Sequence, residues 1–279
     1  MIIRLIKLEF SKLFRRGFTY IGFGAILVIV LIIQAGMYFE GQKLLDLLVM
    51  NLSDVFELHG DLINVYTVSY IIMNSLWIHI PILVAILSGD MLSGEATRGT
   101  FRLLLTRPVS RLSLLTAKYI TAQLYTAMLV IFLMLVSLGA GRLIYHSGDM
   151  IVLLSTINIF SDPDVLWRFF SAFGYGIISM WVVSGLAFLF SGLSSNSLSS
   201  ILNTMAVIIV FSIVSNFSLG IFNVIKPFLF TSYLNGWMLF FDEPVQWTKI
   251  IQNIAVLLLH ITAFYLITIL VFRKKDITS

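Results

Sequence analysis

Residues 18–39 read FTYIGFGAILVIVLIIQAGMYF, a run without a charged side chain. A helix rises about 1.5 Å per residue, so this run is long enough to cross the roughly 30 Å hydrocarbon core of a bilayer. Five further stretches read alike: Val68–Leu87, Leu114–Leu138, Phe169–Phe190, Ile201–Leu219 and Ile250–Phe272. None alternates with the two-residue period of a membrane strand, so an all-α protein of six spanning helices is expected, not a β-barrel. The whole chain agrees. Of its 279 residues, 59% are hydrophobic and 11% charged, against roughly 25% charged in an ordinary soluble domain. That leaves too little polar surface for a water-soluble globule. Cysteine is absent, which excludes disulfides and thiolate-held metals.

The first stretch follows Arg4, Lys7, Lys12, Arg15 and Arg16, as a secretory signal would. Its apolar run exceeds the usual ~7–15 residues and no small-x-small cleavage pattern follows, so an uncleaved first span is expected. The basic residues are unevenly placed. Those five, then Arg98, Arg102, Arg107, Arg111 and Lys118, then Arg273, Lys274 and Lys275 make thirteen of the eighteen, all on one side of the six spans. Ten of the fourteen acids, among them Asp46, Asp54, Glu57, Asp61, Asp162 and Asp164, fall on the other. The positive-inside rule then puts both termini in the cytoplasm of a cell (plasma or inner) membrane, and the parity of six spans agrees. The net charge of +4 thus reports topology and argues against nucleic-acid binding.

Three segments outside the spans carry information. Residues 2–14 set Ile3, Ile6, Phe10 and Leu13 on one helical face and Arg4, Lys7, Ser11 and Arg15 on the other, which predicts a helix lying in the membrane surface. Residues 40–66 mix acids with Leu44, Leu45, Leu48, Phe56 and Leu62, predicting external helices at the headgroups. Residues 220–248 hold Phe222, Phe228, Phe230, Tyr233, Trp237, Phe240, Phe241 and Trp247, a composition suited to dipping back into the interface or capping the bundle. No internal repeat or second domain is visible, so residues 1–279 read as one membrane domain.

Catalytic signatures are missing from the sequence. There is no G-x-x-x-x-G-K-[ST] phosphate loop and no H-E-x-x-H, and the four histidines are dispersed. The expectation is a non-enzyme. His79 and His260 fall near the middle of their spans, where an ionisable group is a functional candidate. No Asp, Glu, Lys or Arg accompanies them at that depth, so the plainer reading, a neutral ring bonded to a neighbouring helix, is preferred. Asn203, Thr204, Ser212, Ser215 and Asn216 give the fifth span a polar aspect, which either lines a translocation route or bonds across helices. The candidates for such a route are His79, Asn203, Asn216 and His260. Ala172-x-x-x-Gly176 and Ser137-x-x-x-Gly141 are read as close helix packing.

The segment joining the second and third spans, SGEATRGTFRLLLTRPVSR from Ser93 to Arg111, is the most specific. Thr97 to Thr106 can form a short helix with Arg98 and Arg102 one turn apart. Pro108 disfavours helix at Arg107 and ends it, and Ser110 suits the N-cap of the next helix. A basic helix exposing Phe101 and Leu103–Leu105 either rests its leucines on lipid or fills a cleft on a soluble partner.

These residues resemble the membrane-spanning subunits of type-2 ATP-binding-cassette exporters. The shared pattern is an acid (Glu95), Gly-Thr (Gly99, Thr100), a leucine-rich stretch (Leu103, Leu104), Pro108, Ser110-Arg111 and Lys118 at the head of the next span. The six-span layout, the amphipathic amino-terminal helix and the aromatic segment before the last span resemble the family too. The resemblance implies a permease of an ABC transporter: two such subunits, identical or not, with two ATPase subunits below that bind ATP and Mg. The 95–107 helix would couple them through Glu95, Arg98, Gly99, Thr100, Phe101, Arg102, Leu104 and Arg107, and would rock the bundles to open a route for export. The alternatives are a secondary carrier or channel without an ATPase, and a subunit that transmits force without transporting.

Overall fold

Some of the helices begin where a side chain holds a free N–H of the first turn. A computed structural model describes residues 1–49, 63–99, 110–153, 157–217 and 220–274. After α1 (Ile2–Phe14) and α2 (Thr19–Val49), Asn64 starts α3 (Val65–Leu76) by accepting from Tyr66 N and Thr67 N at 3.0 Å each. Ile80–Thr97 is α4. Ser110 caps α5 (Arg111–Ile144) through Ser113 N, the role its place in the sequence predicts. A short antiparallel hairpin, β1 (Met150–Leu153) with β2 (Ile157–Phe160), pairs Met150 with Phe160 and Leu153 with Ile157. Then come α6 (Asp162–Leu193), whose first turn holds Asp162, Pro163 and Asp164, and α7 (Ser197–Asn216), capped by Asn196. The chain ends with α8 (Gly220–Ile225), two 3-10 segments (Lys226–Phe228 and Phe230–Phe241) and α9 (Trp247–Lys274).

Six of these helices are long and apolar enough to cross a membrane: Thr19–Gly41 within α2, then α4, α5, α6, α7 and α9. The chain is an α-helical membrane protein. The second span departs from the expected Val68–Leu87. The path from Val65 to Thr97 breaks at Trp77–His79, and only Ile80–Thr97 has spanning length. The reason is Pro81. It lacks an N–H, and it sits in the first turn of a new helix, where none is needed. Residues 40–49 continue α2 as one helix; residues 50–62, the rest of the expected external helices, lie outside the described residues. The hairpin was not expected, because four-residue strands leave little period to read.

Helix α6 is the axis of the molecule. It packs against α4, α5, α7, α9 and the 230–241 segment, and 72% of its spanning window is buried, against 11% for α7 and α9. Close approach is built into it: a Cβ at Gly176 would come within 2.8 Å of Trp77 Cη2. In the same way, a Cβ at Gly141 on α5 would come within 2.9 Å of Val65.

The aromatic 230–241 segment folds back against α6, burying Phe230, Trp237 and Phe241. Twelve residues is long for a 3-10 helix, which rarely exceeds three or four because its bonds are poorly aligned. Neighbouring side chains hold it. Tyr175 Oη donates to Tyr233 O (2.6 Å) and Trp77 Nε1 to Leu234 O (3.1 Å). Its far end is gripped by the buried Arg168, which donates to Phe240 O (2.8 Å), Asp242 O (3.2 Å), Glu243 (2.6 Å) and Asp164 (2.8 Å).

Candidate functional site

At the end of the bundle that carries α1, three helices converge on one lysine. Lys118 stands in the second turn of α5, its side chain 2% exposed. Its Nζ is 2.7 Å from Glu9 Oε2 on α1 and 2.6 Å from Glu95 Oε1 near the end of α4. Glu9 also pairs with Lys12 at 2.6 Å. Two carboxylates and two ammonium groups therefore balance in charge, which is the condition for holding ions out of water. The pairing also governs the Glu9 carboxyl. Burial pushes its pKa up, but Lys118 and Lys12 more than offset that and hold it below the ordinary value of 4.5. A cleft of about 10 Å³ lined by Glu9, Lys12, Leu13, Arg16, Met91 and Lys118 adjoins the cluster, room for about one water.

A second knot lies beside the first. Asp90 on α4 accepts from Ser197 Oγ at 2.5 Å, from Arg16 at 3.2 Å and from Arg98 at 3.4 Å. The start of α7 thereby joins α4 and the bend that follows α1. Thr19 Oγ1 donates to Leu13 O at the bend between α1 and α2, so α1 is fixed at its carboxyl end as well.

The predicted site residues divide as follows. Glu95 does not belong to a projecting helix: it lies inside α4, buried against Lys118. Helix α4 stops at Thr97 because Gly99 takes φ +66, the left-handed conformation that ends helices, while Arg98 N and Gly99 N close onto Gly94 O and Ala96 O. The expected 95–107 helix is thus not continuous with Glu95, since Arg98 and Gly99 form the end of α4. Thr100, Phe101, Arg102, Leu104 and Arg107 lie outside the described residues. The expected apolar face of α1 is corrected in part. Leu13 is buried, Ile6 and Phe10 are half-buried, Ile3 is 70% exposed, and Glu9 takes the inward position between them.

The four route candidates stay apart. His79 is exposed at the α3–α4 break, with Nδ1 3.0 Å from Ser75 O in the last turn of α3. Asn74 and Ser75 are exposed beside it. His260 on α9 reaches another element, with Nε2 3.1 Å from Phe228 O. Asn203 and Asn216 are exposed on α7, thirteen residues and so roughly 20 Å apart along the axis. Among the described residues no hydrogen bond joins any two of the four.

Sequence reasoning missed Glu9, Asp90 and the pairing of Lys118. A signal was present: Glu9 interrupts an inward face four residues from both Leu5 and Leu13, and Lys118 interrupts an apolar run. Opposite charges at such places call for each other.

This arrangement defines a multi-pass α-helical membrane protein with an ion-paired base at one end. Over residues 25–278 the chain matches the model of the family described as protein of unknown function (DUF2705), and it belongs to that family. It is similar to the uncharacterized protein YhcI of Bacillus subtilis (strain 168), at 23% identity over 203 residues, 70% of this chain. The matched part spans 63% of that protein's length.

Proposed function

We propose that this chain is the permease subunit of an ATP-driven exporter, working with a second permease subunit and two separate ATPase subunits. The observation that carries the reading is the Lys118 cluster. The 98–110 segment leaves α4 just after Glu95 and enters α5 just before Lys118, and those two residues are ion-paired to each other and to α1. A segment so footed moves with three helices at once, which is what a receiver of mechanical work requires. Its surroundings are basic, with Arg4, Lys7, Arg15 and Arg111 exposed, so the end suits the cytoplasmic side. The exposed polar groups Asn74, Ser75 and His79 at the α3–α4 break support a route shared with a second subunit.

The test is purification of the tagged chain in mild detergent. A nucleotide-hydrolysing subunit should accompany it, and Arg98→Glu with Arg102→Glu should separate ATP hydrolysis from cargo movement without loss of membrane insertion. A chain that purifies with no ATPase, or moves cargo undisturbed by those changes, overturns the proposal.

A further inference from the structure

At the basic end the carboxylates among the described residues all turn inward. Glu9 pairs with Lys12 and Lys118, Glu95 with Lys118, and Asp90 with Arg16, Arg98 and the Ser197 hydroxyl. Helix α1 shows what this leaves outside. At about 100° per residue, Arg4, Lys7, Ser11 and Arg15 fall within an arc of about 80°, and Glu9 and Leu13 lie on the opposite side. The buried Glu9–Lys118 pair therefore sets the rotation of α1 and turns that arc away from α5. All four of its residues are exposed, and among the described residues no acid pairs with Arg4, Lys7 or Arg15. Ile3, 70% exposed, and Leu8, 53% exposed, border the strip on its two sides.

The depth of the strip follows from α2. The first span begins at Thr19, directly after the bend that follows α1. Thr19 Oγ1 donates to Leu13 O and Tyr20 Oη to Phe14 O (3.0 Å), which ties the two helices together there. A helix tied to the foot of a span lies at the membrane surface. With its inner side on α5, its outer side faces the neighbouring lipid headgroups. We infer that Arg4, Lys7 and Arg15 form a docking strip for anionic phospholipids, preferred over zwitterionic ones. Unpaired cations attract phosphate, and an arginine can hold it through two parallel N–H bonds. A zwitterionic headgroup brings its own cation, which cancels most of that attraction. Ile3 and Leu8 then rest against acyl chains, as apolar residues of an interfacial helix do. The strip is a property of the isolated chain, so the inference goes beyond the exporter reading and does not rest on it.

The chain has no cysteine, so Ser11→Cys gives a single attachment point for a fluorophore in the middle of the strip. The labelled full chain is placed in phosphatidylcholine nanodiscs that contain a low fraction of a quenching lipid. That lipid is phosphatidylglycerol or phosphatidylcholine, each carrying a nitroxide on the acyl chain just below the headgroup. The expected result is a local excess of phosphatidylglycerol of about fivefold or more, the effect of a basic residue near a surface, which fades at high salt. Arg4→Gln with Lys7→Gln should remove most of the excess. Arg273→Gln with Lys274→Gln, an equal loss of charge at the end of α9, should leave it in place. These variants keep Glu9, Leu13 and Lys118, so α1 stays seated. Equal quenching by the two lipids overturns the inference and leaves the strip to an acidic protein surface. An equal fall in both double variants also overturns it, because the preference would then belong to the basic end as a whole.

Discussion

Lys118 Nζ lies 2.6 Å from Glu95 Oε1, so the residues on either side of the 98–110 segment are bound to each other inside the protein, twenty-three positions apart in sequence. The same ammonium holds Glu9 of α1. Buried ions rarely add net stability over an apolar replacement, but they strongly penalise loss of one partner. The cluster therefore specifies which helices meet at this end more than it strengthens the fold.

Removing Lys118 alone leaves Glu9 and Glu95 buried without their shared cation. Lys118→Met is expected to cost about 3–5 kcal/mol, seen as a lowered Tm in detergent, and adding Glu9→Gln and Glu95→Gln should restore much of it. Lys43→Met is the control, because the Lys43–Glu40 pair is exposed and such pairs contribute about 0–1 kcal/mol. A Lys118→Met protein as stable as Lys43→Met would refute the buried cluster.

Acid should release α1. The Glu9 carboxyl is held below 4.5 in the fold, so the folded state binds its proton less readily than the unfolded chain does. Its contribution is complete above that ordinary value and fades as pH falls through the lower folded value. A spin label at the exposed Ser11 should stay immobilised at neutral pH and loosen only below 4.5, and Glu9→Gln should remove this dependence. Release near neutral pH, or an unchanged transition in the Gln variant, contradicts the assignment.

Gly176→Ala places a methyl 2.8 Å from the Trp77 ring and is expected to cost about 1–3 kcal/mol by overpacking. Trp77→Leu removes the obstruction, so the double variant should be more stable than the two separate losses predict. Strict additivity in thermal unfolding would mean that the contact is not made.

Arg168→Lys should not be conservative. One ammonium cannot reproduce the fork that reaches Phe240 O, Asp242 O, Glu243 and Asp164. The end of the 230–241 segment is expected to become sensitive to protease near 242–246, while the six spans stay intact. A wild-type cleavage pattern in Arg168→Lys argues that the backbone needs no such anchor.

The spans were legible because each is a local property: twenty apolar residues are long enough whatever surrounds them. The Ser110 cap was legible for the same reason. The break at Trp77–His79 was misread because Pro81 has the same composition signature inside a span as in the first turn of a new helix. Glu95 was placed on a projecting arm because its burial depends on Lys118 and Glu9, neither of them a sequence neighbour. Ser191 of α6, whose Oγ reaches Leu92 N, Ser93 N and Gly89 O on α4, gave no sign at all, since one serine among many in apolar helices shows nothing of which groove it enters.

Composition and hydropathy alone determined that this chain lives in lipid, how many times it can cross and which end is basic. Tertiary structure alone decided which charges share a burial site, where a helix breaks and which hydroxyls meet between helices. The physical reason is range. Transfer from water to hydrocarbon sums over single residues, whereas ion pairing and hydrogen bonding act over about 3 Å and depend on what the fold brings within reach.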